Sequence, residues 1–212
     1  MKTYSKDLSQ VNLANSLLRW WQAMHLSEQD LKEIEPPVRP APTRYRAELK
    51  RCESSEQIML SEGFRALWLP LINQLDSQNE DQVGIKLNIE AWAVVAGVLA
   101  DVRANSVNPF AHDLGLINPE TDKPVVSELR FQQLQASKSS DELLTRARRL
   151  IKQLGSKANP VSVADDILCW FQEQSPSQSQ NRPQQADKRL AVRWARSYYE
   201  AALPVKKSKA TY

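Results

Sequence analysis

One segment restricts the possible folds of this chain more than any other. Residues 89–104, IEAWAVVAGVLADVRA, carry apolar side chains on almost every face of a helix. A helix of this kind is stable only when other elements cover it on all sides. Its apolar stretch 91–100 is too short to cross a bilayer, so the covering elements must be protein. The segment predicts a central helix, with Asn88 as its N-cap, inside an all-α protein.

The rest of the chain supports this fold class. Gly is scarce, at 5 of 212 residues, and further helical periodicity appears along most of the sequence. We predict about seven to nine helices in two small bundles packed together. The N-terminal bundle covers residues 1–105 and the C-terminal bundle covers residues 127–204, joined by a loop over 106–126.

Proline and polar residues mark the predicted irregular segments. The stretch 35–43, EPPVRPAPT, cannot be helical because its prolines fix φ and remove backbone donors. Pro70 should kink or end its helix for the same reason. Residues 174–186, rich in Gln, Ser and Pro, predict a flexible polar insertion, and residues 205–212 predict a basic disordered tail.

The catalytic and metal-binding inventory is nearly empty. There are two histidines and two cysteines in the sequence, and none has a partner at metal-ligand spacing. His112 and Asp113 are adjacent in a predicted loop, which favours a surface pair over an active site. Asp165 and Asp166 lie near a helix start, where we interpret them as capping residues. We therefore predict no catalytic residue, no metal, no cofactor and no small-molecule substrate.

Cysteine usage and the N-terminus predict the compartment. Cys52 and Cys169 are far apart, which is typical of a reducing environment without disulfides. The N-terminal MKTYSKDLSQ lacks the apolar core of a signal peptide. We expect a cytoplasmic protein without a membrane segment.

Basic residues are concentrated in the second half of the chain. From Arg130 onward there are 15 basic and 7 acidic residues, a net charge of +8. The segment TRARRLIKQLG, residues 145–155, places its leucines and isoleucine on one helical face. The opposite face is predicted to carry Arg146, Arg148, Arg149 and Lys152. Ser139 and Glu142 form a capping-box pattern before it, and Gly155 follows it.

Two further groups of cations occur on other helices. RYRAELKR contributes Arg44, Arg46, Lys50 and Arg51, and the last helix contributes Arg193, with Arg103 and Arg130 standing alone. If the fold gathers these groups, they form a surface able to follow a phosphate backbone. The alternative is that they only solvate the helices. Trp20 and Trp21 diverge by about 100° and cannot both face one core, so one of them is free to reach a partner.

The order of these segments resembles the CasB family, the small subunit of the type I-E CRISPR surveillance complex Cascade. The resemblance is carried by LLRWWQAM, RYRAELKRC, an apolar helix ending in LADVR, SELRFQQLQASKSSDELLTRARRLIKQL, ILCWF and RLAVRWARSYYEA. It implies a non-catalytic, all-helical subunit that binds the R-loop of guide RNA and target DNA. The implied partners are the guide-RNA backbone, the large subunit and a second copy of the chain. The positions carried over as nucleic-acid contacts are Arg44, Arg46, Arg51, Arg103, Arg130, Arg146 and Arg149.

The residues alone leave a second interpretation open. A helical adaptor could use Trp20 or Trp21 and the basic tail to bind another protein, with the arginines only solvating. A small enzyme using His112 and Asp113 is a more remote alternative. The Pro-rich connector, the polar insertion and the tail depart from the compact pattern of the family.

Overall fold

The computed structural model describes residues 4, 5, 7–9, 11–77, 87–174 and 185–203. In these ranges the chain forms eleven α-helices and one two-stranded antiparallel sheet. The helices are α1 Val11–His25, α2 Glu28–Lys32, α3 Thr43–Arg51, α4 Ser55–Leu60, α5 Glu62–Ser77, α6 Ile89–Leu99, α7 Phe110–Gly115, α8 Glu128–Gln135, α9 Ser140–Gln153, α10 Pro160–Gln174 and α11 Leu190–Ala202. The strands are β1 Ile117–Asn118 and β2 Lys123–Pro124. The all-α fold class is confirmed, with more helices than predicted because several have only five or six residues.

Helix α6 is the central element, as its apolar pattern predicted. Every residue from Ala91 to Leu99 is buried, and the helix packs against α4, α5, α9 and α10. The Asn88 side chain accepts hydrogen bonds from the backbone of Glu90 and Ala91, which confirms the predicted N-cap. The helix ends at Leu99, before the predicted residue 104.

The buried side chains of both halves of the chain form one continuous hydrophobic core. Helix α6 belongs to the predicted N-terminal bundle, but its partners α9 and α10 lie in the predicted C-terminal bundle. The division into bundles at residues 105 and 127 stays a prediction. Cys52 and Cys169 are both free thiols within this core.

The predicted loop 106–126 contains regular structure. It holds α7, which packs closely against α11, and the short hairpin of β1 and β2. Gly115 permits this approach, because a Cβ atom there would lie 2.2 Å from the carbonyl oxygen of Tyr198. Tyr198 in turn stacks on Phe131 and donates a hydrogen bond to the Val126 carbonyl. The prolines of this segment led to the prediction of a loop, but α7 is short enough to lie between them.

Three expectations for the N-terminal half need correction or comment. Trp20 and Trp21 are both buried, and their indole N–H groups donate to the carbonyls of Gly63 and Val102. Neither is free to reach a partner, because α1 is covered on two sides. Helix α5 continues through Pro70 to Ser77 rather than ending there. Of the predicted non-helical stretch 35–43, residues 35–42 are non-helical, but Thr43 begins α3. Arg19 donates hydrogen bonds to the carbonyls of Pro36 and Pro37 in this stretch.

Two predicted segments cannot be compared with the structure. Most of the polar insertion, residues 175–184, and the whole basic tail lie outside the described residues. Within the described ranges, no helix is both long and apolar enough to span a membrane.

Candidate nucleic-acid interface

Helix α9 supplies most of the candidate site, and its ends are fixed by its sequence. Ser139 accepts a hydrogen bond from the backbone of Glu142, while the Glu142 carboxylate accepts one from Lys138 instead of Ser139. At the other end Gly155 adopts φ +65°. The bonds from Gly155 to Lys152 and from Ser156 to Ile151 complete a Schellman motif. The buried side of the helix is Leu143, Leu144, Ala147, Leu150 and Ile151, as predicted.

The outer side of α9 and the neighbouring α8 form a cleft of about 490 Å³. We call it the basic cleft, and its lining residues are Arg130, Gln133, Arg146, Arg149, Leu150, Lys152 and Gln153. Arg130, Arg149 and Lys152 are exposed. No side-chain hydrogen bond or ion pair joins any of the three to a residue that the structure describes. The cleft therefore presents three cations that are available to an anion.

Arg146 lies at the edge of the basic cleft, where it is partly exposed and also bonded within the protein. Its Nη1 donates to the Gln133 carbonyl at 2.6 Å, and its Nη2 lies 3.2 Å from the Glu142 carboxylate. Its side chain retains 30% exposure. Arg146 thus ties α8 to α9 and still borders the cleft. Glu142 belongs to the capping turn, four residues before Arg146, so this arginine is paired within its own helix.

Arg148 corrects the predicted exposed face of α9. Its side chain is 11% exposed and turns inward toward α3 and α6. The guanidinium donates to the carbonyls of Leu49, Cys52 and Gly97, and its Nε lies 3.6 Å from Asp101. Two of these carbonyls end α3, where positive charge is favoured. Burial lowers the pKa of Arg148 and the Asp101 carboxylate opposes this effect. The group joins three helices and is not presented to solvent.

A second group of cations lies around His25, at the end of α1. The pKa of His25 is lowered from 6.5 to about 4, first by burial and then by the charges of Arg46 and Lys50, with a smaller contribution from Arg103. Arg46 and Lys50 lie four residues apart on α3, while Arg103 follows α6, so His25 is influenced by cations from two separate parts of the chain. Lys50 is 3.3 Å from Asp101, so part of its charge is already balanced.

Helix α3 carries two further predicted nucleic-acid contacts, Arg44 and Arg51. Arg51 is exposed, with no hydrogen bond or ion pair in the described part of the chain. Arg44 is exposed too, but its guanidinium binds the Glu62 carboxylate at 2.7 Å. A pair this exposed is weak and can exchange partners.

The Arg193 side chain on α11 is bound by other groups within the protein. Its Nη2 is 3.4 Å from Asp166, and its guanidinium carbon lies 3.8 Å from the centre of the Tyr4 ring. Burial raises the pKa of Asp166 to about 7, although Trp194 and Arg193 oppose the shift. Asp165 accepts backbone hydrogen bonds from Tyr4 and Ser5. The capping interpretation of the two aspartates is wrong, since Asn159 caps α10 and the aspartates bind groups from other segments.

The remaining candidates for catalysis do not assemble. Among the described residues, no group of three or more His, Cys, Asp or Glu side chains could hold a metal ion. Asp113 is buried and accepts a hydrogen bond from Asn108, not from His112. The neighbouring pair is therefore not a His–Asp dyad.

Sequence reasoning missed the two amides of the basic cleft, Gln133 and Gln153. A signal was present, because Gln133 follows Arg130 by three positions and Gln153 follows Arg149 by four. Side chains at these spacings share a helical face. The amides line the cleft without neutralising its cations.

Comparison with known proteins identifies the family of the chain. The sequence model of CRISPR-associated protein Cse2 (CRISPR_cse2) matches residues 45–199, which include α4 to α10 and most of α3 and α11. No curated protein and no solved structure matches the chain. The family match covers most of the chain and agrees with the CasB resemblance, since both names denote the same Cascade subunit. This chain belongs to the CRISPR-associated Cse2 family.

Proposed function

We propose that this chain is a non-catalytic Cascade subunit that holds nucleic-acid backbones in the basic cleft without sequence preference. In this role it stabilises the R-loop of target and displaced DNA strands during antiviral defence. The observation that carries the proposal is a set of three cations in one cleft, Arg130, Arg149 and Lys152, whose side chains have no partner among the described residues. Cations without an internal partner can replace the counterions of a phosphate backbone, which gives affinity regardless of sequence.

The chemistry of the basic cleft suits phosphate. Two of its three unpaired cations are arginines, whose planar guanidinium groups can bind phosphate oxygens through two hydrogen bonds. Arg149 and Lys152 are three residues apart and so lie on one face of α9. Contacts of this kind position a strand but carry no base information.

The cations around His25 form a second proposed contact surface. Arg46, Arg51 and Arg103 are the members that we expect to contribute, while Lys50 and Arg44 contribute less because carboxylates bind them. Arg148 and Arg193 are left out of the proposed interface, since their guanidinium groups are bound within the fold.

The proposed role fits the energetics of R-loop formation. The heteroduplex that forms is about as stable as the DNA duplex that it replaces, so contacts to the backbones decide the balance. A subunit for this task needs cationic surfaces and no active site. We propose as its partners the guide-RNA backbone and large subunit of Cascade, the R-loop itself and a second copy of the chain.

The test is charge reversal in the purified Cascade complex that contains this chain. Arg130→Glu combined with Arg149→Glu should raise the target DNA concentration needed for half-maximal R-loop formation by about tenfold or more, because each reversal replaces an attraction with a repulsion. The matched control is Arg196→Glu, since Arg196 is exposed but bonded to Glu200 on its own helix. We expect the control to change this concentration by less than about twofold.

Two outcomes would contradict the proposal. Unchanged R-loop formation by a complex that retains the double variant would show that the basic cleft does not bind nucleic acid. Loss of the double variant from the complex would instead assign the cleft to a protein partner, as the adaptor interpretation requires. Circular dichroism of the isolated variant would establish that the helices are intact.

A further inference from the structure

A second cleft adjoins the basic cleft. We call it the polar cleft; it has a volume of about 340 Å³ and lies between the loop before α7, the β hairpin and the end of α9. Its polar lining residues are Ser106, Asn108, Asp113, Asn118, Gln153 and Lys157. Gln153 lines both clefts, so a molecule bound in one can extend into the other.

The polar cleft contains two hydrogen-bond acceptors without donors. Asp113 is only 5% exposed, and its Oδ1 accepts a hydrogen bond from the Asn108 amide at 2.8 Å. Its Oδ2 is buried and has no partner among the described residues, and the same is true of Gln153 Oε1. Buried acceptors are normally paired, because an unpaired one loses its hydration without compensation. Two of them in the wall of one cleft indicate a ligand that supplies N–H groups.

Backbone hydrogen bonds fix the walls of the polar cleft. The segment before α7 pairs with the residues after α9 through bonds from Ser106 to Ala158 and from Ala158 to Ala104. The Ser106 hydroxyl accepts a further bond from the Asn108 backbone. These bonds fix the backbone that carries Asn108, whose amide holds Asp113 Oδ1, before any ligand arrives, which reduces the entropy lost on binding.

We propose that the polar cleft binds one unstacked nucleobase with an amino group, whose N–H donors bond to Asp113 and Gln153 while its phosphate lies in the basic cleft. This inference rests on the proposed function and modifies it, since it adds a preference for bases with an amino group to backbone contacts that have no preference of their own. Base edges, unlike phosphates, differ in their donors and acceptors. Cytosine, adenine and guanine carry an amino group, and thymine and uracil do not.

The lysines around the polar cleft favour a neutral donor over a cationic one. Lys157 lines the cleft together with the Asp113 carboxylate, and Lys152 lines the adjoining basic cleft. An arginine or lysine from a protein partner would be attracted to Asp113 but repelled by both lysines. A base amine supplies N–H donors without positive charge, and its own phosphate is attracted to the neighbouring cations.

The test compares two oligonucleotides that differ only at the base edge. Fluorescence anisotropy at low salt would measure the binding of the full-length chain to oligodeoxycytidine and oligodeoxyuridine of equal length. Cytosine has an amino group where uracil has a carbonyl, while the backbone is identical. We expect the Kd for the cytidine oligomer to be about fivefold lower.

Two variants assign this preference to the polar cleft. Asp113→Asn keeps the size of the side chain but replaces one acceptor by a donor, so the preference should vanish or reverse. Gln153→Leu removes the second acceptor at a half-buried site and should reduce the preference even if Asp113→Asn destabilises the fold. The control is Arg149→Gln, which should weaken both oligonucleotides equally and leave their ratio unchanged.

The outcomes separate this inference from the proposed function. Equal binding of the two oligonucleotides by the wild-type chain would overturn the base site and leave backbone binding intact. A cytidine preference that survives in both variants would also overturn it. No binding of either oligonucleotide would contradict both proposals. Loss of the Asp113→Asn chain from purified Cascade, with its cytidine preference unchanged, would assign the polar cleft to a protein partner.

Discussion

Helices α9 and α11 carry the same pattern, an apolar face with arginines beside it, and the fold uses the two sets of arginines differently. On α9, Arg149 is exposed, without a partner in the described part of the protein. On α11, Arg193 is held between Asp166 and the Tyr4 ring, and Arg196 is bonded to Glu200. The number of arginines on a helix therefore does not predict an anion site. The carboxylates within reach decide it, whether another helix supplies them, as with Asp166, or the same helix does, as with Glu200.

The same contrast occurs within α9, between two adjacent arginines. Arg148 points toward α3 and α6 and is 11% exposed, while Arg149 points outward into the basic cleft. Successive residues on a helix diverge by about 100°. A shift of one residue along the helix therefore separates Arg148, which has a structural role, from Arg149, a candidate phosphate contact.

The largest expected effect comes from removing the inward arginine. Arg148→Ala should lower the free energy of unfolding by about 3 kcal/mol, because it leaves three carbonyls without donors and Asp101 with Lys50 as its remaining cation. Urea unfolding followed by circular dichroism measures the change. Arg149→Ala is the matched control, expected to lie within about 0.5 kcal/mol of the wild type. Equal losses in the two variants would remove the distinction between the two arginines.

A second prediction tests the buried pair beneath α11. Because the pKa of Asp166 is raised to about 7 by burial, the folded state binds more protons than the unfolded state between about pH 4 and pH 7. This group therefore makes the free energy of unfolding fall as pH rises through that window, by up to about 1.4 kcal/mol per pH unit. Asp166→Asn should remove this contribution, as urea unfolding at several pH values would measure. The exposed Asp187→Asn is the control, and parallel profiles for wild type and Asp166→Asn would refute the assignment.

The smallest expected effect concerns the exposed arginines of α9 and α11. Arg149→Gln should reduce the slope of log Kd against log salt concentration for single-stranded DNA by about 0.7, since one phosphate contact is lost. Arg196→Gln should leave the slope unchanged, because Arg196 does not line the basic cleft. Binding titrations at four or five salt concentrations would measure both slopes. A decrease of equal size in the two variants would mean that α11 contacts the strand as well.

Several structural features could be predicted from the sequence because they depend on interactions between residues close together in the chain. The all-round apolar pattern of α6 predicted its central position, and the Asn88 cap and Gly155 terminator marked two helix ends. Where propensity and tertiary contact disagreed, the local signals predicted a loop in place of a helix. The proline-rich loop contains α7, and packing against α11 stabilised this helix. Pro70 does not end α5, which continues to Ser77.

The sequence predicted which cations belong to the candidate site but not how they are arranged in space. Periodicity placed Arg146, Arg149 and Lys152 on one side of α9 and identified Arg130 as a further cation. The assembly of Arg46 and Arg103 near His25, and the carboxylates that bind Arg193 and Lys50, depend on residues far away in the chain. Helical periodicity gives the direction of a side chain relative to its own helix. It contains no information about which carboxylate another segment places there.

The sequence by itself thus determined that the chain is helical, that α6 is buried and that cations gather in the second half, because propensity, hydrophobicity and charge belong to individual residues. The tertiary structure alone decided which cations remain unpaired and where the polar cleft lies beside the basic cleft. These depend on the distances between side chains from different helices, and such distances exist only after the helices have packed.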